Sequence, residues 1–90
     1  MFEVFFGNAR ANKDYEQLDE KMRQRVNEFC EIIKSIAVPF RFYDIRKIEG
    51  RTNEFRVRLG KYRLTYFVDG VLHRIYILKM ELRDETTYKY

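Results

Sequence analysis

Three arginines alternate with apolar residues along Phe55-Arg56-Val57-Arg58-Leu59-Gly60-Lys61-Tyr62-Arg63-Leu64-Thr65-Tyr66-Phe67. A repeat of period two belongs to a strand with one wet and one dry face. It sets Phe55, Val57 and Leu59 on one side of a first strand and Arg56 and Arg58 on the other. A second strand separates Tyr62, Leu64, Tyr66 and Val68 from Arg63, Thr65 and Phe67. Gly60-Lys61 between them suits a type II′ hairpin turn, with glycine where a positive φ is needed. The register that follows puts Leu59 opposite Tyr62, Arg58 opposite Arg63, Val57 opposite Leu64 and Arg56 opposite Thr65. The guanidinium groups then share a single face.

Like charges set opposite one another in a ladder repel, by roughly 1 kcal/mol for unit charges 4 Å apart in water and more at lower dielectric. Glu49, Glu54 or Asp69 could neutralise them from within the chain. An external anion could do so instead, because a guanidinium offers a planar fork of donors that matches phosphate oxygens and keeps its charge at any accessible pH. Two chemistries fit such a face. One is the binding of nucleic-acid phosphates without reaction. The other is stabilisation of the charge that develops when an RNA 2′-OH attacks its neighbouring phosphate, a reaction that needs alignment and positive charge but no metal, since the nucleophile belongs to the substrate. The residues alone leave both open.

The rest of the composition excludes other classes. The single cysteine, Cys30, and the single histidine, His73, rule out an internal disulfide, a cysteine zinc site and a histidine cluster. No glycine-rich phosphate loop, nucleophile elbow or CxxC is present. Asp84 and Glu85 are adjacent and would point apart on a strand, so they read as solvated. The opening Met-Phe-Glu-Val-Phe-Phe lacks a basic lead and meets Gly7-Asn8 at once, which does not suit a signal peptide, and no run approaches the length of a membrane span. A cytoplasmic protein without cofactor or metal is expected.

Ninety residues fit one domain, spanning 1–90, and seven Tyr with eight Phe supply large core side chains. Charge is polarised: residues 1–40 carry six Lys/Arg against seven Asp/Glu, and residues 41–90 carry twelve against seven. The excess of cations lies in the half that holds the hairpin, which favours a polyanionic partner such as nucleic acid, or an acidic protein segment.

The elements that must position the arginines can be read in order. Residues 2–6 form a short aromatic and β-branched run ended by Gly7-Asn8, a first strand. Asn8 can cap a helix, and Ala11, Tyr15, Leu18 and Met22, then Val26, Phe29, Ile33 and Ile36, recur at helical spacing. Two helices follow, about 8–18 and 20–36, and Val38-Pro39 closes the helical region. Asp44 to Gly50 reads as a second strand ending in a glycine turn. Residues 54–59 and 62–68 are the hairpin. Asp69-Gly70 signals a type I′ turn into a last strand, His73 to Met80. In that register Thr65 faces Arg74 and Arg63 faces Tyr76, which would extend the cationic face and add an aromatic ring for stacking. The fold class is α+β: a strand, a two-helix hairpin, then an antiparallel meander of three or four strands, with helices on one face and arginines on the other.

Lys47-Ile48-Glu49-Gly50, the run Phe55 to Tyr66, Ile77-Leu78-Lys79, Arg83 and Tyr88, together with Val38-Pro39, resemble the RelE/ParE toxin superfamily, and archaeal RelE in particular. The resemblance implies the toxin of a type II toxin–antitoxin pair, a ribosome-dependent mRNA interferase. Such a toxin enters the 30S A site beside the rRNA, cuts mRNA, leaves a 2′,3′-cyclic phosphate and is restrained by a RelB-type antitoxin. It implies roles by position: Arg56 stabilises charge at the scissile phosphate, Arg58 matches a second basic residue that is a lysine in some members and proposed as general base, Arg63 matches the transition-state arginine, and Arg83 a proposed general acid. Tyr88 matches a tyrosine that stacks on a base. Lys47, Arg46, Arg74 and Tyr76 complete the candidate RNA contacts. A guanidinium holds its proton far above neutral pH and is ill suited to accept or release one there, so Arg58 is better cast as an electrostatic clamp and Arg83 shares the difficulty. Relatives of ParE type, which inhibit DNA gyrase without cutting RNA, and degenerate non-catalytic binding proteins would share the fold.

Overall fold

In the computed structural model, residues 1–83 are described. Chain order is β1 (Glu3–Phe6), α1 (Ala9–Glu16), α2 (Glu20–Ser35), β2 (Ile45–Lys47), β3 (Glu54–Leu59), β4 (Tyr62–Asp69) and β5 (Arg74–Leu82). The strands form one sheet in the order β1-β5-β4-β3-β2, with β1 parallel to β5 and all other neighbours antiparallel. The expected α+β architecture is present. The second strand is shorter than the sequence suggests, because after Lys47 the chain enters a loop with Gly50 at φ 77° and Asn53 at φ 57°.

Each helix starts at a capping side chain. The Ala11 amide donates to the Asn8 side chain at 2.8 Å, and the Met22 amide to Asp19 at 2.8 Å, each satisfying a donor that has no partner within its helix. The buried stripe Met22, Val26, Phe29 and Ile33 of α2 meets the dry face of the sheet, where Val57, Leu64, Tyr66, Ile75 and Ile77 are fully buried. Phe29 anchors this layer, edge-on to Tyr43 at 4.9 Å and to Tyr66 at 5.5 Å between centroids. Burying the Tyr66 phenol pushes its pKa upward, and its hydroxyl donates to the Ala37 carbonyl at 2.9 Å, so the group enters the core without an orphaned polar atom. Because β1 is only four residues long, β5 runs past its end. The Met80 amide, beyond the last β1 pair, donates instead to the Asp14 carboxylate of α1 at 2.9 Å.

The β3–β4 register is the one alternation implies: Leu59 pairs with Tyr62, Arg58 with Arg63, Val57 with Leu64 and Arg56 with Thr65. Gly60 has φ 60°, the conformation a II′ turn requires there. The β4–β5 register differs. Thr65 pairs with Lys79 rather than Arg74, and Arg63 with Glu81 rather than Tyr76. Two local features cause the five-residue displacement. Asp69 pairs with Arg74, so the connection is a four-residue loop instead of a two-residue type I′ turn; the Asp69 carboxylate accepts from the Val71 and Leu72 amides at 3.0 Å each, and His73 takes the left-handed conformation at φ 54°. A bulge between Thr65 and Tyr66 adds one more residue on β5. The four-residue change keeps Arg74 and Tyr76 on the wet face but moves them away from the hairpin turn.

Candidate active site

The wet face is organised in rows that cross the strands. Nearest the hairpin turn lie Arg58, Arg63 and Glu81, and next to them Arg46, Arg56, Thr65 and Lys79. Further along come Glu54, Phe67, Tyr76 and Phe5, then Asp69, Arg74 and Glu3. Arg83 follows β5 directly, and its amide donates to the Lys61 carbonyl at 2.8 Å, which ties the end of the sheet to the hairpin turn.

The first two rows surround a recess of about 240 Å³ lined by Arg46, Arg56, Arg58, Arg63, Arg83 and Asp44. All four arginines expected to act on a phosphate are therefore brought together, with Arg46 beside them. Asp44 immediately precedes β2. Its carboxylate lies 3.3 Å from Arg58 Nη1 and 3.9 Å from Arg46 Nε, and the Arg58 amide donates to its carbonyl at 3.0 Å. Among the described residues it is the counter-ion of the recess; Glu54, a candidate from the sequence, pairs with Arg51 instead. Five guanidinium groups against one carboxylate leave the recess strongly cationic.

Arg56 Nε, Arg63 Nε and Thr65 Oγ1 are buried without a hydrogen-bond partner among the described residues. A buried donor left unpaired costs about 1–3 kcal/mol. The three atoms lie in adjoining rows of one face, and an oxyanion would offer acceptors to the two guanidinium nitrogens. Asp44 contributes a different capacity. It is the one lining side chain, among the described residues, with acceptor oxygens that can take a proton. Among the described residues no group of three His, Cys, Asp or Glu side chains could hold a metal ion.

The other candidates are placed elsewhere. Lys47 pairs with Phe55, one position out of phase with Arg46, and borders a separate hollow with Ile48, Glu49, Gly50, Arg51 and Thr52. The alternation of the strand sets it on the face opposite to Arg46. Arg74 and Tyr76 share the wet face with the recess but do not line it. Tyr88 lies outside the described residues. Asp44 was not marked by the sequence pattern; the available signal was a carboxylate two positions from Arg46, on the same phase of the strand.

Bare on one side of a five-stranded sheet and covered by two helices on the other, the protein is a small α+β domain that presents an arginine-lined recess beside a hairpin turn. Comparison with known proteins places that arrangement. No family model matches the chain. A protein of Methanocaldococcus jannaschii named as the toxin RelE1 is 33% identical over 84 residues, covering 91% of this chain and 90% of its own. The RelE chain of the RelE–RelB complex from Pyrococcus horikoshii superposes with a TM-score of 0.83 at 30% identity, covering 93% of this chain and 97% of that one. The RelB–RelE complex from Methanococcus jannaschii gives 0.74 at 25% identity, with 98% of both chains covered. The isolated Escherichia coli RelE toxin shares the fold, with a TM-score of 0.76 at 18% identity over 99% of this chain and 94% of its own. The chain belongs to the RelE toxin family.

Proposed function

We propose that this protein is the toxin of a toxin–antitoxin pair that cuts mRNA in the ribosomal A site and is held in check by a RelB-type antitoxin. The observation that carries the reading is the recess itself: Arg56, Arg58, Arg63 and Arg83 converge on one cavity, and two of them keep a buried Nε without a partner. The solved complexes of relatives from Pyrococcus horikoshii and Methanococcus jannaschii with RelB support the partner.

The chemistry follows from the lining. A phosphodiester seated in the recess meets several forks of donors, which stabilise the charge that builds on its non-bridging oxygens during attack. The substrate's own 2′-oxygen forms the new bond to phosphorus as the bond to the 5′-oxygen breaks, leaving a 2′,3′-cyclic phosphate and a 5′-hydroxyl. The 2′-OH proton passes to the Asp44 carboxylate, which later releases it to water, and water protonates the departing 5′-oxygen. The guanidinium groups serve as clamps, since they cannot exchange protons near neutral pH. Asp44, held by Arg58 at 3.3 Å, takes the proton-accepting place that the arginines cannot fill.

The test uses purified ribosomes programmed with a defined mRNA, and primer extension to map the ends. Wild-type protein yields codon-phased cuts with 2′,3′-cyclic termini, and Arg63→Ala or Arg83→Ala lowers the single-turnover rate by about 10²-fold or more while the far-ultraviolet circular dichroism spectrum is retained. Intact mRNA, with damaged DNA in cells that produce the protein, would replace this reading with gyrase inhibition.

A further inference from the structure

Beyond the arginine recess the wet face carries a second feature. Phe67 on β4, Tyr76 on β5 and Phe5 on β1 are direct neighbours across three adjacent strands. Their ring planes are nearly parallel, 25° between Phe67 and Tyr76 and 26° between Tyr76 and Phe5, with centroids 6.4 Å and 5.8 Å apart. The helix residues that join the core meet the dry face, on the other side of the sheet from this row. Phe5 is 40% exposed, and a shallow hollow of about 320 Å³ opens beside Phe5, Phe6, Tyr76 and Arg74. The Arg74 guanidinium closes the hollow from the next row, 5.9 Å from the centre of the Phe5 ring.

Continuity with the recess says what this row is for. It lies one row beyond Arg56, Thr65 and Lys79, about 7 Å further along the strands at the usual rise per residue. An occupant must be anionic at one end and flat and apolar at the next step. An RNA strand has that alternation of phosphate and base, and aromatic rings flanked by guanidinium groups are the usual platform for an unstacked base. An apolar protein segment would be served as well by branched aliphatic side chains, yet the apolar positions of this row are all aromatic.

We propose that Phe67, Tyr76 and Phe5, closed at the start of β5 by Arg74, form a stacking site for an unpaired nucleobase of the RNA strand whose phosphate occupies the arginine recess. This rests on the RNA reading of that recess. The site fixes the strand by a base adjacent to the cut, so it governs binding and register rather than the chemical step.

The experiment measures binding of the full chain to fluorescein-labelled single-stranded oligonucleotides carrying 2′-O-methyl groups, which cannot be cut by 2′-OH attack. One bears a base at every position, and others are abasic at a single position in turn. Removing one particular base weakens binding to wild-type protein roughly ten-fold. Tyr76→Leu and Phe67→Leu, which keep an apolar side chain, lower affinity for the full oligonucleotide by the same factor and abolish its preference over the abasic one, whereas Tyr76→Trp preserves that preference. If every abasic oligonucleotide binds wild type as well as the full one, and Arg56→Ala weakens them all alike, the recess binds RNA and the stacking site is refuted. If no oligonucleotide binds, the RNA reading of the recess falls together with the stacking site. If the leucine variants hold RNA as wild type does but lose a RelB-type antitoxin, the row is a protein interface and the proposal is overturned.

Discussion

Arg63→Met should make the protein more stable and useless. Arg63 stands directly opposite Arg58 on β3, and Arg58 already has the Asp44 carboxylate at 3.3 Å. Across β5 its neighbour is Glu81, whose carboxylate is shared by Arg10 at 3.6 Å and Lys79 at 3.5 Å. Arg63 thus faces a like charge with no ion pair of its own among the described residues, and its Nε is buried and unpaired. Opposing unit charges at about 4 Å repel by roughly 1 kcal/mol in water and about 4 kcal/mol at an effective dielectric near 20. The orphaned donor adds about 1–3 kcal/mol. Methionine keeps most of the apolar stem and removes both penalties, while side-chain relaxation returns part of the gain. A net stabilisation of about 1–2 kcal/mol is expected, or a Tm rise of roughly 5–15 °C for a domain of this size. The assay is urea unfolding of both proteins at 20 mM and 500 mM NaCl. The gain should shrink at the higher salt as the charge component is screened, leaving the part due to the buried donor. Added sulfate should raise the wild-type midpoint more than that of the variant, because an anion binds the folded arginine cluster. A variant less stable than wild type at low salt would refute the reasoning, since Arg63 would then be a structural residue with partners of its own.

Two further outcomes follow from named groups. Asp44→Asn should lower single-turnover mRNA cleavage by about 10²–10⁴-fold, whereas Asp44→Glu should restore part of the rate; an asparagine variant as fast as wild type would remove Asp44 as proton acceptor. Burial pushes the Cys30 thiol from 9.0 up to about 11, opposed by Lys34 and assisted by Glu31. A pKa higher in the folded state means stability that is intact below pH 9 and lost as pH rises towards 11, worth about 2–3 kcal/mol by linkage. Cys30→Ala should reduce that alkaline loss in urea titrations from pH 8 to pH 11, and the wild-type thiol should react with a disulfide reagent at pH 8 only in unfolding concentrations of urea.

How far the sequence could be read depended on whether the determining contacts were local. The β3–β4 hairpin is set by six alternating residues on one side, a glycine with φ 60° and the matching run on the other, so its register, and with it the Arg58–Arg63 and Arg56–Thr65 pairs, was legible residue by residue. The same logic failed one turn later. Asp69-Gly70 carries the composition of a tight turn, but the Asp69 carboxylate captures the Val71 and Leu72 amides and a non-glycine residue, His73, takes the left-handed position, so the loop lengthens from two residues to four. The bulge beyond it has no signature in the nearly continuous apolar run Ile75 to Leu78, because period two is invisible where both phases are apolar. Both changes bear on the site. Together they move Tyr76 away from Arg63 and set it between Phe67 and Phe5, converting an expected contact within the arginine cluster into an aromatic row of its own. Phe5 could not have been assigned to that row, since the partner of β1 is β5, some seventy residues away, and only the closed sheet determines which face an aromatic residue of the first strand shares. Asp44 lay outside the alternating hairpin altogether and acquires its place through two long-range contacts with Arg58, one from side chain and one from backbone. Local alternation decided where the cations gather, and tertiary closure decided which acid and which aromatic rings accompany them.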